Sequence, residues 1–564
     1  MRAIACSRRF RGNNGDCNSQ SLAVHRYQTS FALLSTWQNW ELSYSPRHGE
    51  NFSSAARPDA ATFIGAGCTI GVASLPIALK AHGQRRQHTT ALYFGLALTV
   101  VVLTFSNNPV LALLALANLF ASIKLLWRPG ESPILVFVFI YQWLQVNIKI
   151  LHADLLRVSV EDLAAYGGDV TMVVILSNAA LLALACGMNR GAGPRAWLAV
   201  QEARAQSLVL PMKVWVRLYV VAWVLSAIAT ALIPLLPGLS QVLLVISGLR
   251  WVFFFALTYA AFSRPSVWLP WWLIFLGEYL LSLGGFFSDF RVGLFFAIFA
   301  VTAATAGRMT WTRAASLLLL TALLVASALV WSAVKGEYRA FVNQGSGQQV
   351  VAVDRTDQLA KLQDLVAQLD SGSVAIALET MVVRMSYVDF FARVMAVVPA
   401  RTAHTRGDIW GDALLRIVTP RLLFPEKSGV NDSDRTNQFT GLNVSTAAQG
   451  TSISIGYVAE SYIDFGVEGM LFPMLAMGFG MGRFYRFAHS DPRFQGLLGM
   501  AFASVALMPA FAFESSITKV LPSLALSMLL SWMLLVFAMP RLMRWSIQPA
   551  GRAVRHSPAQ GSYR

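Results

Sequence analysis

The sequence predicts an all-α polytopic membrane protein of about 12 transmembrane helices, with one large outward loop that contains amphipathic helices. Three observations carry this. Of 564 residues, 55% are hydrophobic and 13% charged, with a mean hydropathy of +0.52, whereas soluble domains carry about 25% charge. Apolar runs of roughly 17 to 23 residues, long enough to cross about 30 Å of hydrocarbon, recur along the chain. Basic residues fall in every second connection between them, the pattern that orients membrane proteins with those connections in the cytoplasm.

The twelve runs lie at 91–105, 108–126, 132–149, 170–188, 216–236, 241–262, 267–285, 291–306, 314–334, 467–482, 494–513 and 518–539. Residues 1–60 form a polar extension with no apolar run behind its basic residues, unlike a cleavable signal peptide. The stretch 61–80 is apolar but carries Gly65, Gly67, Gly71 and Pro76, and is read as interfacial or re-entrant; spanning would export seven arginines. The chain then divides into an N-terminal bundle at 91–334, an outward loop at 335–466, C-terminal membrane helices at 467–539 and a basic tail at 540–564.

The formal charge of +16 is mostly an orientation signal. Cytoplasmic connections hold Lys80, Arg85 and Arg86; Lys124 and Arg128; Arg190, Arg195, Arg204 and Lys213; Arg264; Arg308 and Arg313; Arg483, Arg486 and Arg493; and, in the tail, Arg541, Arg544 and Arg552. Both termini are then cytoplasmic. The outward loop has 12 Lys plus Arg against 14 Asp plus Glu, so a nucleic-acid surface is not supported. Cys6, Cys17, Cys68 and Cys186 have neither metal-ligand spacing nor a disulfide pattern.

Within the loop, Leu359, Leu362, Leu365, Val366 and Leu369 recur at helical spacing, which predicts an amphipathic helix on the outer membrane surface. The stretch ending at Pro399 is long enough to span. Glu379, Arg384, Asp389 and Arg393 argue instead for a helix packed over the bundle, because each charge at mid-bilayer costs about 2.5–3.5 kcal/mol.

Charges inside apolar runs are candidates for function. Arg250 and Glu278 fall about 14 Å and about 11 Å from the outer ends of neighbouring antiparallel helices, by 1.5 Å per residue. They are read as a structural ion pair, or with Arg250 as an anion site facing an outward cavity. Arg291, in FFSDFRVG, is placed at the outer interface as a phosphate binder or a snorkelling anchor.

The loop's second half mixes Pro, Gly, Asn, Asp and Ser with Trp410, Leu422, Leu423, Phe424 and Phe439, the composition of an ordered irregular segment. Arg416, Arg421, Lys427 and Arg435 supply cations there, with Arg384 earlier in the loop as a further phosphate-binding candidate; Asp408, Asp432, Glu460 and Asp464 supply carboxylates, and Tyr457, Glu460 and Asp464 share one helical face. Glu460, Asp464 and His404 are the candidate general bases. GFGMG at 478–482 lies inside an apolar run, where close helix packing explains it better than phosphate binding.

Many membrane helices, one large loop near the C-terminal third, PRLLFPEK followed by an Asn/Asp-rich stretch, and ESYIDFGVEG entering the next helix together resemble the Wzy-type O-antigen and exopolysaccharide polymerases. The motif likeness covers 415–470. The paired arginine-to-glycine signatures of some members do not start from this loop's arginines, so their assignments do not carry over. The resemblance implies a metal-independent and cofactor-free glycosyltransferase of the GT-C type in the bacterial inner membrane. It would move a growing glycan from undecaprenyl diphosphate onto a lipid-linked repeat unit at the periplasmic face, alongside a chain-length regulator and a repeat-unit flippase. An O-antigen ligase-type transferase shares that donor and location. A secondary transporter is the rival from another class; it fits the helix count but leaves the large loop and the absence of an internal repeat unexplained.

Overall fold

The computed structural model describes residues 99–194, 197–264, 269–286, 289–305, 309–346, 351–419, 424, 431–444, 452–490 and 496–542. Among them every regular element is helical. Seven helices are long and apolar enough to cross a membrane, or up to nine if two bent pairs are each counted as one span. The segments 1–60 and 61–80, and all but the start of the tail, lie outside the described residues.

Eleven of the twelve apolar runs coincide with a helix, and of 91–105 only a helical stretch from residue 99 is described. The helices are α1 (Pro109–Leu126), α2 (Ile134–Leu156), α3 (Val170–Ala192), α4 (Trp197–Val209), α5 (Met212–Leu232), α6 (Ser240–Ser247), α7 (Leu249–Phe262), α8 (Leu269–Ser282), α9 (Phe290–Ala304) and α10 (Trp311–Val342). Three of the runs are short as helices: α8, α9 and residues Leu497–Ala510. Local chemistry sets the starts. Pro109 occupies the first turn of α1, where its missing N–H costs nothing, and Asp169 accepts from Met172 N at 2.7 Å to cap α3.

The loop contains α11 (Arg355–Ala367), α12 (Ser371–Met385), α13 (Val388–Val397), α14 (Asp408–Val418), α15 (Asp432–Thr440) and α16 (Tyr457–Gly469). Then come α17 (Leu471–Ser490), α18 (Leu497–Leu507) and α19 (Ile517–Met533). Three expectations for this region change. α10 runs on to Val342, so the outward segment starts with a helical extension rather than at residue 335. The amphipathic helix packs Leu362, Leu365 and Leu369 against Val334, Tyr338 and Val342 of that extension, and leaves Leu359 and Val366 exposed. The stretch before Pro399 is two helices broken at Ser386 and Tyr387; Asp389 turns inward to Lys149 of α2, while Glu379 and Arg384 stay exposed.

The closest packing in the bundle is α3 against α17. A Cβ at Gly187, Gly191, Gly478 or Gly482 would lie 2.2–2.3 Å from a backbone oxygen of the opposite helix. Two small-residue pairs, each four apart, thus bring the backbones together, as expected for GFGMG. At Gly466 the backbone takes φ 69°, and the chain turns through 115° between α16 and α17, so α16 is not a continuation of the α17 span. α2 and α3 are mostly buried, whereas α10 buries little of its apolar window, as a peripheral, lipid-facing helix would.

Candidate functional site

The short connection between α18 and α19, at 511–516, meets α2, α15 and α16 at one end of the bundle, and a set of polar side chains converges there. α2 contributes Gln142, Gln145 and Lys149. Tyr457 donates its hydroxyl proton to Gln142 Oε1, and Gln142 Nε2 donates to Ala510 O at 2.7 Å. Gln145 donates to Glu514 Oε2 and accepts from Phe513 N at 2.9 Å. Arg291 is exposed at the start of α9 and lies near the Tyr141 side chain, as does Glu514.

Arg435 and Glu460 form the centre. Arg435 Nη1 lies 2.8 Å from Glu460 Oε1 and 3.4 Å from Thr518 Oγ1, and Nη2 lies 3.8 Å from Asp412. Asp412 also holds Arg416, at 2.9 Å. Glu460 is 1% exposed, and its second oxygen accepts from Ile517 N at 2.6 Å. Burial pushes its carboxyl up to about 7, against the pull of Arg435 and the Ile517 N–H. Arg435 keeps 21% of its side chain exposed, so the guanidinium is held by Glu460, Thr518 and Asp412 without being sealed from solvent.

A second pair flanks the first. Lys519 Nζ lies 2.5 Å from the buried Asp432 and 3.0 Å from Ser452 Oγ, while Asp432 Oδ1 has no partner. Tyr387, at the break between α12 and α13, donates to Ser454 O. Burial, then Glu514, Asp432, Tyr166 and Glu460, push its phenol up, so three carboxylates surround one neutral tyrosine.

The structure separates several residues that the sequence grouped. Asp464 is buried and caps α14, accepting from Ile409 N at 3.2 Å, Trp410 N at 2.8 Å and the Thr405 hydroxyl. That is a structural position rather than a general base, because backbone donors occupy both oxygens. His404 is half-buried beside it, with Nδ1 3.1 Å from Ile463 O and its ring against Tyr462. Arg384 is exposed and close to Lys335 and Arg339, apart from the Arg435 cluster. Arg250 reaches Glu278 at 4.0 Å and lies over the Trp251 ring; the tighter partner of Glu278 is the Tyr219 hydroxyl. Arg421 and Lys427 lie outside the described residues.

Sequence reasoning missed Asp412, Glu514, Lys519 and the Lys149–Asp389 pair. Glu514 and Lys519 are the charges beside the turn between α18 and α19, otherwise free of them, and Gln142, Gln145 and Lys149 recur on one side of α2; both signals were legible. No protein-family model, curated protein or solved structure matches this chain.

Proposed function

We propose that the protein is a polymerase of lipid-linked oligosaccharide repeat units, a metal-independent membrane glycosyltransferase. In this reading the twelve apolar runs are twelve spans of a GT-C-type bundle in the bacterial inner membrane, with both termini cytoplasmic and the loop periplasmic. The donor is a glycan on undecaprenyl diphosphate. The bond between its anomeric carbon and the diphosphate oxygen breaks, a bond to the acceptor hydroxyl oxygen forms, and the hydroxyl proton passes to a carboxylate. The observation that carries the reading is Arg435, held by the buried Glu460 and still partly exposed, at the polar end of an apolar bundle.

A polyprenyl diphosphate has its charge at the membrane interface and its chain in the hydrocarbon, so the leaving group needs fixed cations at that depth. Preorganised donors of this kind contribute about 3–4 kcal/mol each to the transition state. Arg435 and Lys519 bind the diphosphate, with Arg291 approaching from α9. Glu460 positions Arg435; both its oxygens are occupied, so it is not the base. Glu514, half-buried and held by Gln145, is the group placed to take the proton.

The test is reconstitution in nanodiscs with an undecaprenyl-diphosphate-linked repeat unit, read as a product ladder on a gel. The wild type should give a ladder, and Arg435→Ala and Glu514→Gln only single repeats at unchanged membrane abundance. Wild-type ladders in both variants would sink the assignment of these residues. Transfer of finished polymer without elongation would make the protein a ligase-type transferase, and solute flux without polymer a transporter.

A further inference from the structure

The opposite end of the bundle holds a cavity that the proposed reaction does not use. It measures about 530 Å³, within the usual range of small-ligand sites, and opens between the C-terminal ends of α1 and α3. Ala121 and Leu125 give it an apolar wall; Lys124, Arg128, Asn189 and Gly193 give it a polar one. Arg486 of α17 closes over Gly193, since a Cβ there would lie 2.8 Å from its Nη1.

The charge balance is positive. Lys124, Arg128 and Arg486 face one carboxylate, Glu131, which lies 3.9 Å from Arg128 and accepts from Tyr485 at 3.1 Å. The ends of α1 and α3 add partial negative charge, but Arg128 already donates to Gly193 O at 2.7 Å. Arg128 is buried, and its Nε has no acceptor. Arg128 lines the cavity with little of its charge solvated, so an anion seated there would lie against a largely desolvated guanidinium. The exposed Trp127 and Phe120 beside the cavity belong to the depth where headgroups meet acyl chains.

We infer that this cavity binds the phosphate of an anionic amphiphile, with Lys124, Arg128 and Arg486 as its cations and the Ala121–Leu125 wall against its apolar part. An apolar wall beside three cations fits a charged headgroup with a chain better than a free ion, and basic pockets between membrane helices recognise anionic lipids in this way. The site is separate from the Arg435 cluster and stands whether or not the polymerase reading does.

The experiment measures thermal stability of the full chain in detergent, titrated with dihexanoyl phosphatidylglycerol, dihexanoyl phosphatidylcholine or inorganic phosphate. Phosphatidylglycerol should raise the Tm saturably and phosphatidylcholine should not. K124E/R486E, both exposed positions, should weaken the apparent affinity at least tenfold, and K124R/R486K should keep it. An equal response to inorganic phosphate would retain the phosphate site but remove the lipid as its source. No response to phosphatidylglycerol, or the wild-type response in a folded K124E/R486E, would overturn the proposal.

Discussion

The two ends of the helical bundle handle charge in different ways. At the end where α15, α16 and α19 meet, cations face carboxylates: Arg435 with Glu460, Lys519 with Asp432, and Lys149 with Asp389 nearby. At the other end, apart from the looser Arg128–Glu131 contact at 3.9 Å, cations face backbone carbonyls at helix termini. Arg128 donates to Gly193 O, Arg264 to Leu210 O at 2.8 Å, Arg313 to Phe262 O at 2.8 Å and Arg541 to Phe537 O. A carbonyl at a helix C-terminus satisfies a cation without a buried anion and complements the helix dipole. A buried ion pair is expensive to assemble and constrains its members closely. The first end is therefore built to hold particular groups in place, and the second to terminate helices.

The largest expected effect comes from the seam between α3 and α17, which both ends depend on. Gly478→Leu or Gly482→Leu forces a side chain against a backbone oxygen 2.2 Å from the position of Cβ, and folded protein should disappear from the membrane fraction. Next comes Lys149→Met, which leaves the buried Asp389 without its cation and should cost about 3 kcal/mol; K149M/D389L should recover most of it in denaturant titrations. If the single and double variants were equally unstable, the pair would not be a coupled unit. Arg435→Ala should cost a similar or smaller amount of stability, because the pair is partly exposed, while removing the activity proposed above. Arg264→Gln or Arg541→Ala at the carbonyl-facing end should cost under about 1 kcal/mol each. A loss as large as that of Lys149→Met would erase the contrast between the ends.

A pH series sharpens the same comparison. The Glu460 carboxyl is raised by burial to about 7 in the fold, above its unfolded value, so the folded state holds a proton that the unfolded state has released. The stability this contributes is complete below the unfolded pKa and is lost as pH rises towards 7. The Tm should therefore fall between about pH 5 and pH 8, and less steeply in Glu460→Gln. Equal slopes in both proteins would place the pH dependence elsewhere.

The apolar helices were legible because length and apolarity, which a membrane-crossing helix needs, are properties of sequence. The close seam was legible from GFGMG, although its partner pair, Gly187 and Gly191, was not picked out. Arg435 and Glu460 were both named as candidates, yet nothing in their spacing said that they meet. Glu460 and Asp464 share a helical face and look equivalent in sequence. One holds an arginine and the other caps α14, because each faces a different neighbour. Asp389 looked like a surface charge on a covering helix until the break at Ser386 and Tyr387 turned it towards Lys149.

The sequence by itself determined a chain rich in apolar helices and the alternation of its basic connections, since both depend on the partitioning of individual segments between water and hydrocarbon. Only the tertiary structure decided which charges pair, because a pair needs two side chains from distant positions at hydrogen-bond distance. Arg435 reaches Glu460 across 25 residues and Lys149 reaches Asp389 across 240, and helix packing alone sets both separations.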